Sequence, residues 1–260
     1  MLTGIKLLSQ SKDFLFSWTS RIVQTRYQQS ILGWLWIIIQ PVATVAIFSI
    51  IFTYFVPIDT GSIPYIVFSY TAVIPWTFFS SSLTDMASSV VDNIGLVTKI
   101  FFPREILPVA AMLARLLDFG VAYCLLFILM LFYQVPITLI GVLFLPIILV
   151  IQIILIIGVG LLLAAMNVFY RDVKSMLTLI LQLWFYASPI IYPVSSVPQR
   201  LRPLYFLNPM AGIIESYRDV LLNGSVPGLY LLPSVVISLI FLLLGYFLFK
   251  RVEYRFADII

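Results

Sequence analysis

The stretch FGVAYCLLFILMLFYQVPITLIGVLFLPIILVIQIILIIGVGLLLAAMNVFY, residues 119–170, holds no Asp, Glu, Lys or Arg and is bounded by Asp118 and Arg171. A single membrane-crossing helix needs about 20 apolar residues, so these fifty-two are too many for one crossing and fit two. The fold-back is legible at Tyr133-Gln134-Val135-Pro136-Ile137-Thr138, where an amide and a proline interrupt runs of Leu, Ile, Val and Phe. Arg115 and Asp118 therefore share a membrane side with Arg171, Asp172 and Lys174.

Composition makes the bilayer the solvent for the whole chain. Apolar residues are 62% and charged ones 10%, against roughly 45–50% and 25% in soluble domains. A soluble core of this size would leave large apolar patches in water. The single Cys124 allows no intrachain disulfide and reads as a small buried hydrophobe. With no His, the commonest metal ligand and general base is missing. The net charge of +4 is scattered between apolar runs and forms no stripe, which argues against a nucleic-acid partner.

Along the chain, residues 1–29 lack the pattern of a signal peptide. Within residues 12–28, Phe14, Leu15, Trp18 and Ile22 share a helical face, and Arg21 lies close enough to that face to snorkel, as expected of a helix lying in the membrane interface. Spans one and two are expected over 31–56 and 64–83, joined by a turn around Asp59. A mixed cytoplasmic segment, 85–105, follows. Spans three and four are expected over 107–133 and 139–169, and a fifth from Ser175 to about Tyr192, where prolines cut the run. Residues 194–228 are too polar to span, yet 203–207 and 210–216 are apolar enough for short re-entrant or interfacial helices. The sixth span, 229–249, closes on Lys250 and Arg251.

The fold class is therefore an all-α membrane protein of six transmembrane helices with an N-terminal amphipathic interface helix, in one domain. It divides into 1–30 (interface helix), 31–250 (bundle) and 251–260 (cytoplasmic tail). Six crossings put both termini on one side. That side collects eleven of the fifteen basic residues, Lys6, Lys12, Arg21, Arg26, Lys99, Arg104, Arg171, Lys174, Lys250, Arg251 and Arg255, which marks it as cytoplasmic.

The chemistry in the sequence is sparse. There is no phosphate-cradling Gly-x-x-x-x-Gly-Lys-Ser/Thr loop, no paired carboxylates for a metal–nucleotide and no Ser/His arrangement, so no catalytic residue is expected. Secondary transporters keep ionisable groups near mid-membrane. Here Arg115 and Asp118, three apart near a helix end, are expected to neutralise each other. A transporter without its own energy source must receive work from a partner. Residues 86–97 are expected to form a short loop helix that exposes Val90, Val91, Ile94, Leu96 and Val97 as a docking knob.

Four motifs, in order, resemble a known family. They are Arg26-Tyr27-Gln28-Gln29-Ser30-Ile31-Leu32-Gly33-Trp34-Leu35-Trp36 with Pro41, then Asn93-x-x-Leu96-Val97-x-Lys99-x-x-Phe102-Pro103-Arg104-Glu105-Ile106-Leu107-Pro108. Asn167-Val168-Phe169-Tyr170-Arg171-Asp172-Val173 follows, and last Ser188-Pro189-Ile190-Ile191-Tyr192-Pro193 with Asn208-Pro209 and Arg218. The set is similar to ABC-2 type export permeases, within them to the subunit that exports lipid-linked O antigen, capsule or teichoic acid. The resemblance implies a homodimeric pore in the inner membrane, driven by two ATP-binding subunits that carry ATP and Mg2+, with no cofactor in this chain. Asp92, Asn93, Leu96, Val97 and Lys99 would transmit ATP-driven closure.

A sugar polymer needs a path that neither grips it nor strips all its hydrogen bonds, and aromatic rings supply one. Some Tyr or Trp of span one, among them Trp34, Trp36 and Tyr54, and of span five, Trp184 and Tyr186, are candidates for lining it. Arg21 and Arg26 are candidates for binding a polyprenyl diphosphate head. A drug or simple-lipid exporter keeps the fold and changes the cargo. A membrane glycosyltransferase would need a carboxylate pair that the spacing does not offer.

Overall fold

The computed structural model describes residues 11–28, 33, 35–55, 57–61, 63–100, 102–170 and 172–256. Lys6, Gln29, Ser30, Ile31, Leu32, Trp34 and Arg171, used above, lie outside them. Helix α1, Lys12–Gln28, occupies the range read from the sequence. Asp13 sits in its first turn and Arg26 in its last, each of the sign that the helix dipole favours. Trp18, Val23 and Tyr27 are buried on its inner face, and Phe14 meets Phe102 edge-on at 5.2 Å.

Among the described residues, five helices are long and apolar enough to cross a membrane. The first, α2, is Leu35–Ile50 continued by a π turn at Ile51–Phe55. The others are α3 (Tyr65–Ser88), α5 (Ile106–Phe132), α6 (Leu139–Phe169) and α10 (Leu231–Val252). The short α4, Ile94–Val97, lies in the loop after α3 behind a 3-10 turn at Val91–Asn93. The α5–α6 hairpin turns where the Gln134-Val135-Pro136 break stands. Gln134 adopts a left-handed φ of 56°, and the Thr138 hydroxyl caps α6 by accepting from the Gly141 amide at 3.2 Å.

The expected fifth span differs. Helix α7, Val173–Tyr186, has 14 residues, roughly 21 Å at 1.5 Å per residue, against a hydrocarbon core of about 30 Å. The chain stops being helical at Ala187, and the segment after it is held against the bundle by Arg218. Arg218, 3% exposed, donates to the Ile190 carbonyl at 3.0 Å and the Tyr192 carbonyl at 3.4 Å. Its guanidinium lies 3.7 Å from the Phe68 ring centre. Short α8 (Arg202–Tyr205) leads to α9 (Pro209–Arg218), helices that lie where short re-entrant or interfacial helices are expected. Met210, Ile213, Ile214 and Tyr217 of α9 are buried in the main core.

Helix α3 is the centre: its membrane-length window is 78% buried, against 11–28% for the other four. One internal polar chain crosses this core. Gln152 of α6 donates to the Pro75 carbonyl of α3 at 2.7 Å and accepts from the Tyr217 hydroxyl of α9 at 3.0 Å. Helices α6 and α10 approach through glycine. A Cβ at Gly158 would run into the backbone of Phe241 and Leu242, and one at Gly245 into the Gly158 carbonyl. Small residues permit such contact where lipid gives no hydrophobic drive for association. Cys124, expected to be buried, is exposed on the outer face of α5, a setting its small apolar thiol suits in lipid.

Candidate functional site

The end of α1 brings a cation to the bundle. Arg26 donates from Nη2 to Asp85 Oδ2 at 2.7 Å and from Nη1 to Asp118 Oδ2 at 2.9 Å. Arg115 donates from Nε to Asp85 Oδ2 at 2.7 Å, and more loosely from Nη1 to Asp118 Oδ2 at 3.3 Å. The Tyr27 hydroxyl donates to the other Asp118 oxygen at 2.7 Å. Burial first, and then the Asp118 carboxylate, push the Tyr27 hydroxyl up to about 12, so it remains a donor at any physiological pH. Two guanidiniums and two carboxylates thus form one charge-balanced network that ties α1 to α3 and α5.

This corrects the expectation that Arg115 and Asp118 serve mainly each other. It also corrects the placement of Asp85 in the loop: α3 continues to Ser88, so Asp85 stays on the helix and faces the arginines. Sequence reading ended that span at Leu83 because of the charge. The charge is tolerated there because partners on two other elements neutralise it.

The network is the wall between two cavities. The larger, about 230 Å³, is lined by Arg26, Tyr27, Arg115 and Asp118 at one end and by Trp36, Gln40, Thr77, Phe78 and Ser81 beyond. The second, about 180 Å³, is lined by Trp18, Arg26, Asp85, Ser88, Asp92 and Asn93. Arg26 faces both. Of the residues singled out in the sequence, Arg26 and Trp36 therefore meet in one cavity, and Asp92 and Asn93 reach Arg26 from the other side.

The remaining candidates are dispersed. Arg21 is exposed on α1 with its guanidinium 4.8 Å from the Trp18 ring centre, away from the network. The expected docking knob is largely turned inward: Val90 and Val97 are buried with Trp18, Leu107 and Phe249, and Val91, Ile94 and Leu96 pack partly against them. Burying these valines on the chain's own bundle removes more apolar surface from water than leaving them for a partner. What the loop presents outward is Asp92, Gly95, Thr98, Lys99 and Ile100. Asn93 holds the loop by donating to the Ser89 carbonyl at 2.8 Å.

Trp36 and Tyr54 are exposed on α2, as is Tyr186 on α7. Trp184 instead packs against Trp76 and Phe79 and donates to Asn208 Oδ1 at 2.7 Å, which places it in the wall that holds α9. Asn208 also caps α9 by accepting from the Met210 amide at 3.1 Å. Glu105, 1% exposed at the start of α5, accepts from Lys250 at 2.7 Å, which joins the loop motif to the end of α10. Sequence reading missed Asp85, Tyr27 and this Glu105–Lys250 pair because all three are contacts between distant parts of the chain.

Between α7 and α10, burial holds the Asp219 carboxyl up at about 6, and the neighbouring Glu215 charge adds to the rise, while Asn223 opposes it. Because the folded state then binds the proton more tightly than the unfolded chain, the associated stability is full below pH ~4 and is lost as pH rises through ~6. Asp219→Asn should remove this slope. After allowance for the group's partial exposure, the variant should gain ~1–2 kcal/mol on the wild type between pH 4 and pH 7.5. Thermal unfolding of the detergent-solubilised chain at the two pH values checks it, and parallel curves for both proteins would refute it.

The geometry is that of a multi-pass membrane protein with a charged internal seam, and comparison with known proteins agrees. A family model described as ABC-2 type transporter matches residues 14–222. An O-antigen export system permease protein RfbA from Klebsiella pneumoniae is 29% identical, with 95% of each chain covered. A protein of the same name from Myxococcus xanthus is 29% identical over 99% of each. The polysialic acid transport protein KpsM of Escherichia coli is 25% identical over 90% of this chain and 91% of its own. With most of its length matched by one family model, and its membrane helices and internal seam in place, the chain belongs to the ABC-2 type transporter family.

Proposed function

We propose that this chain is the transmembrane subunit of an ATP-driven exporter that moves lipid-linked polysaccharide from the cytoplasm across the inner membrane. The observation that carries this reading is the cavity in which two guanidiniums meet apolar and aromatic walls at the end of the interface helix. Such a cavity suits an amphiphile with a phosphate-bearing head: planar guanidiniums match phosphate oxygens pairwise, and Trp36 and Phe78 offer apolar faces. The relatives named for O-antigen export and polysialic acid transport support a polysaccharide as cargo. Arg26, with Arg115 beside it, is the head-group candidate of this reading, and Arg21 serves as an interfacial anchor.

Two copies form the pore, with α7 and the turn at 187–192 making the fifth of six crossings and both termini cytoplasmic. The exposed α2 and α7 faces that carry Trp36, Tyr54 and Tyr186 line it or border it, and residues 1–260 act as one domain. Two ATP-binding subunits bring ATP and Mg2+, and this chain needs no cofactor. Their stroke enters through the loop that presents Asp92 and Lys99, with Asn93, Leu96 and Val97 bracing it against the bundle.

A coupling role has a clear readout. Asp92→Lys and Lys99→Glu leave the core untouched, because both side chains are exposed. Each should retain normal amounts in the membrane and lose most export, with ATP hydrolysis in the reconstituted complex no longer stimulated by substrate. Normal export by both variants would exclude the loop as the point of entry.

A further inference from the structure

Among the described residues, the head-group cavity contains no guanidinium without a carboxylate partner. Arg26 is shared between Asp85 and Asp118, and so is Arg115. A phosphate that enters therefore meets a neutral network, and it binds only by taking arginine donors from a carboxylate already there. The two carboxylates are not equivalent. Asp118 lines the same cavity as Trp36, whereas Asp85 faces the second cavity with Asp92 and Asn93. Asp118 is also held more loosely by Arg115, at 3.3 Å, than Asp85 is, at 2.7 Å. And Asp118 alone has a second kind of donor: the Tyr27 hydroxyl at 2.7 Å stays with it when the arginines leave.

We propose that Asp118 is an internal counter-anion, which holds Arg26 and Arg115 while no cargo is bound and yields them to the phosphates of an entering lipid diphosphate. The proposal rests on the lipid-linked reading above and adds the exchange that makes binding conditional. Asp85 keeps its grip on both arginines throughout. Tyr27 keeps the displaced carboxylate hydrogen-bonded, so the exchange strands no buried acceptor. Its consequence is mechanical: cargo arrival loosens the tie between α1 and α5 through Asp118 and leaves the tie between α1 and α3 through Asp85. Cargo thereby alters how the interface helix is fastened next to the loop that carries Asp92.

The exchange predicts effects of opposite sign from two nearly isosteric changes. Asp118→Asn removes the competitor and should tighten binding of geranylgeranyl diphosphate to the full chain in nanodiscs about tenfold, as expected for one charge-assisted contact no longer given up. Tyr27→Phe leaves the displaced carboxylate without its hydroxyl donor and should weaken binding several-fold. Asp172→Asn removes an exposed negative charge that lines neither cavity and should change nothing.

Inorganic pyrophosphate, measured beside the lipid, separates a head-group site from a free-diphosphate site. Tight binding of the lipid only, or of both with the same variant order, supports the exchange. Unchanged or weaker binding in Asp118→Asn would overturn it, as would an equal gain in Asp172→Asn, which would mark a general field effect. If Arg26→Gln abolishes binding while Asp118→Asn does nothing, the exchange fails and the head-group assignment stands. If the wild type binds neither probe, the exchange and the head-group assignment both fall. Whether polysaccharide reaches the surface remains a separate readout.

Discussion

Gly158→Leu should leave little folded protein in the membrane. The side chain would project into the backbone of Phe241 and Leu242 on α10, and backbone cannot rotate aside as a side chain does. The partner position offers no relief, because Gly245 faces the Gly158 carbonyl. Overpacking of a core side chain costs typically ~1–3 kcal/mol, and forcing two helix backbones apart should exceed ~3 kcal/mol. Helix α10 would separate from α6, and with it would go the Glu105–Lys250 pair at the end of α10. Gly120→Ala is the control, since nothing lies within 4 Å of the Cβ it adds. It should be neutral or gain ~0.5–1 kcal/mol from better helix propensity. Protein in the membrane fraction, followed by melting in detergent, distinguishes the two variants, and equal yields would mean that α6 and α10 do not pack through these glycines.

The second large effect lies at the charged seam. Arg115→Leu removes a guanidinium bonded to both Asp85 and Asp118, and Arg26 alone then faces two carboxylates. Removing one partner of a buried pair costs ~3–5 kcal/mol, and the 14–27% exposure of these side chains lowers the expectation to ~2–4 kcal/mol. The specific sign is in the double variant. Arg115→Leu with Asp85→Asn restores neutrality around Arg26 and should recover at least half of the lost stability, a coupling that a melting comparison of the four proteins reads directly. Additive losses would show that Asp85 and Arg115 do not act on each other.

How much of this was legible depends on the range of the contact. The charge-free run at 119–170 fixes a helical hairpin by length alone, and α6 begins and ends where the sequence reading put it. Helix α1 was equally readable, because Phe14, Trp18 and Ile22 recur at helical spacing. Length reasoning overreached at the fifth span. The apolar run continues to Tyr192, yet Arg218, far along the chain, bonds the Ile190 and Tyr192 carbonyls and holds the backbone out of helix. Val90 and Val97 misled for a related reason: apolar residues in a loop look available until Trp18 and Phe249 are seen to cover them.

The seam was half legible. Arg115 and Asp118 announce themselves by i,i+3 spacing, while Asp85 and Arg26 reach them only through the fold. Trp184 and Trp36 were indistinguishable as letters. One hydrogen-bonds Asn208 in the wall of the core, and the other lines a cavity beside two arginines.

The most direct test of the export reading is to delete the gene and follow the surface polysaccharide by glycan staining and fractionation, with the wild-type gene restored as control. Loss from the surface with lipid-linked polymer accumulating on the cytoplasmic side is the expected result. Surface polysaccharide that persists unchanged would contradict it and turn attention to a small amphiphile as cargo, and loss without any accumulated polymer would place the chain in synthesis of the glycan.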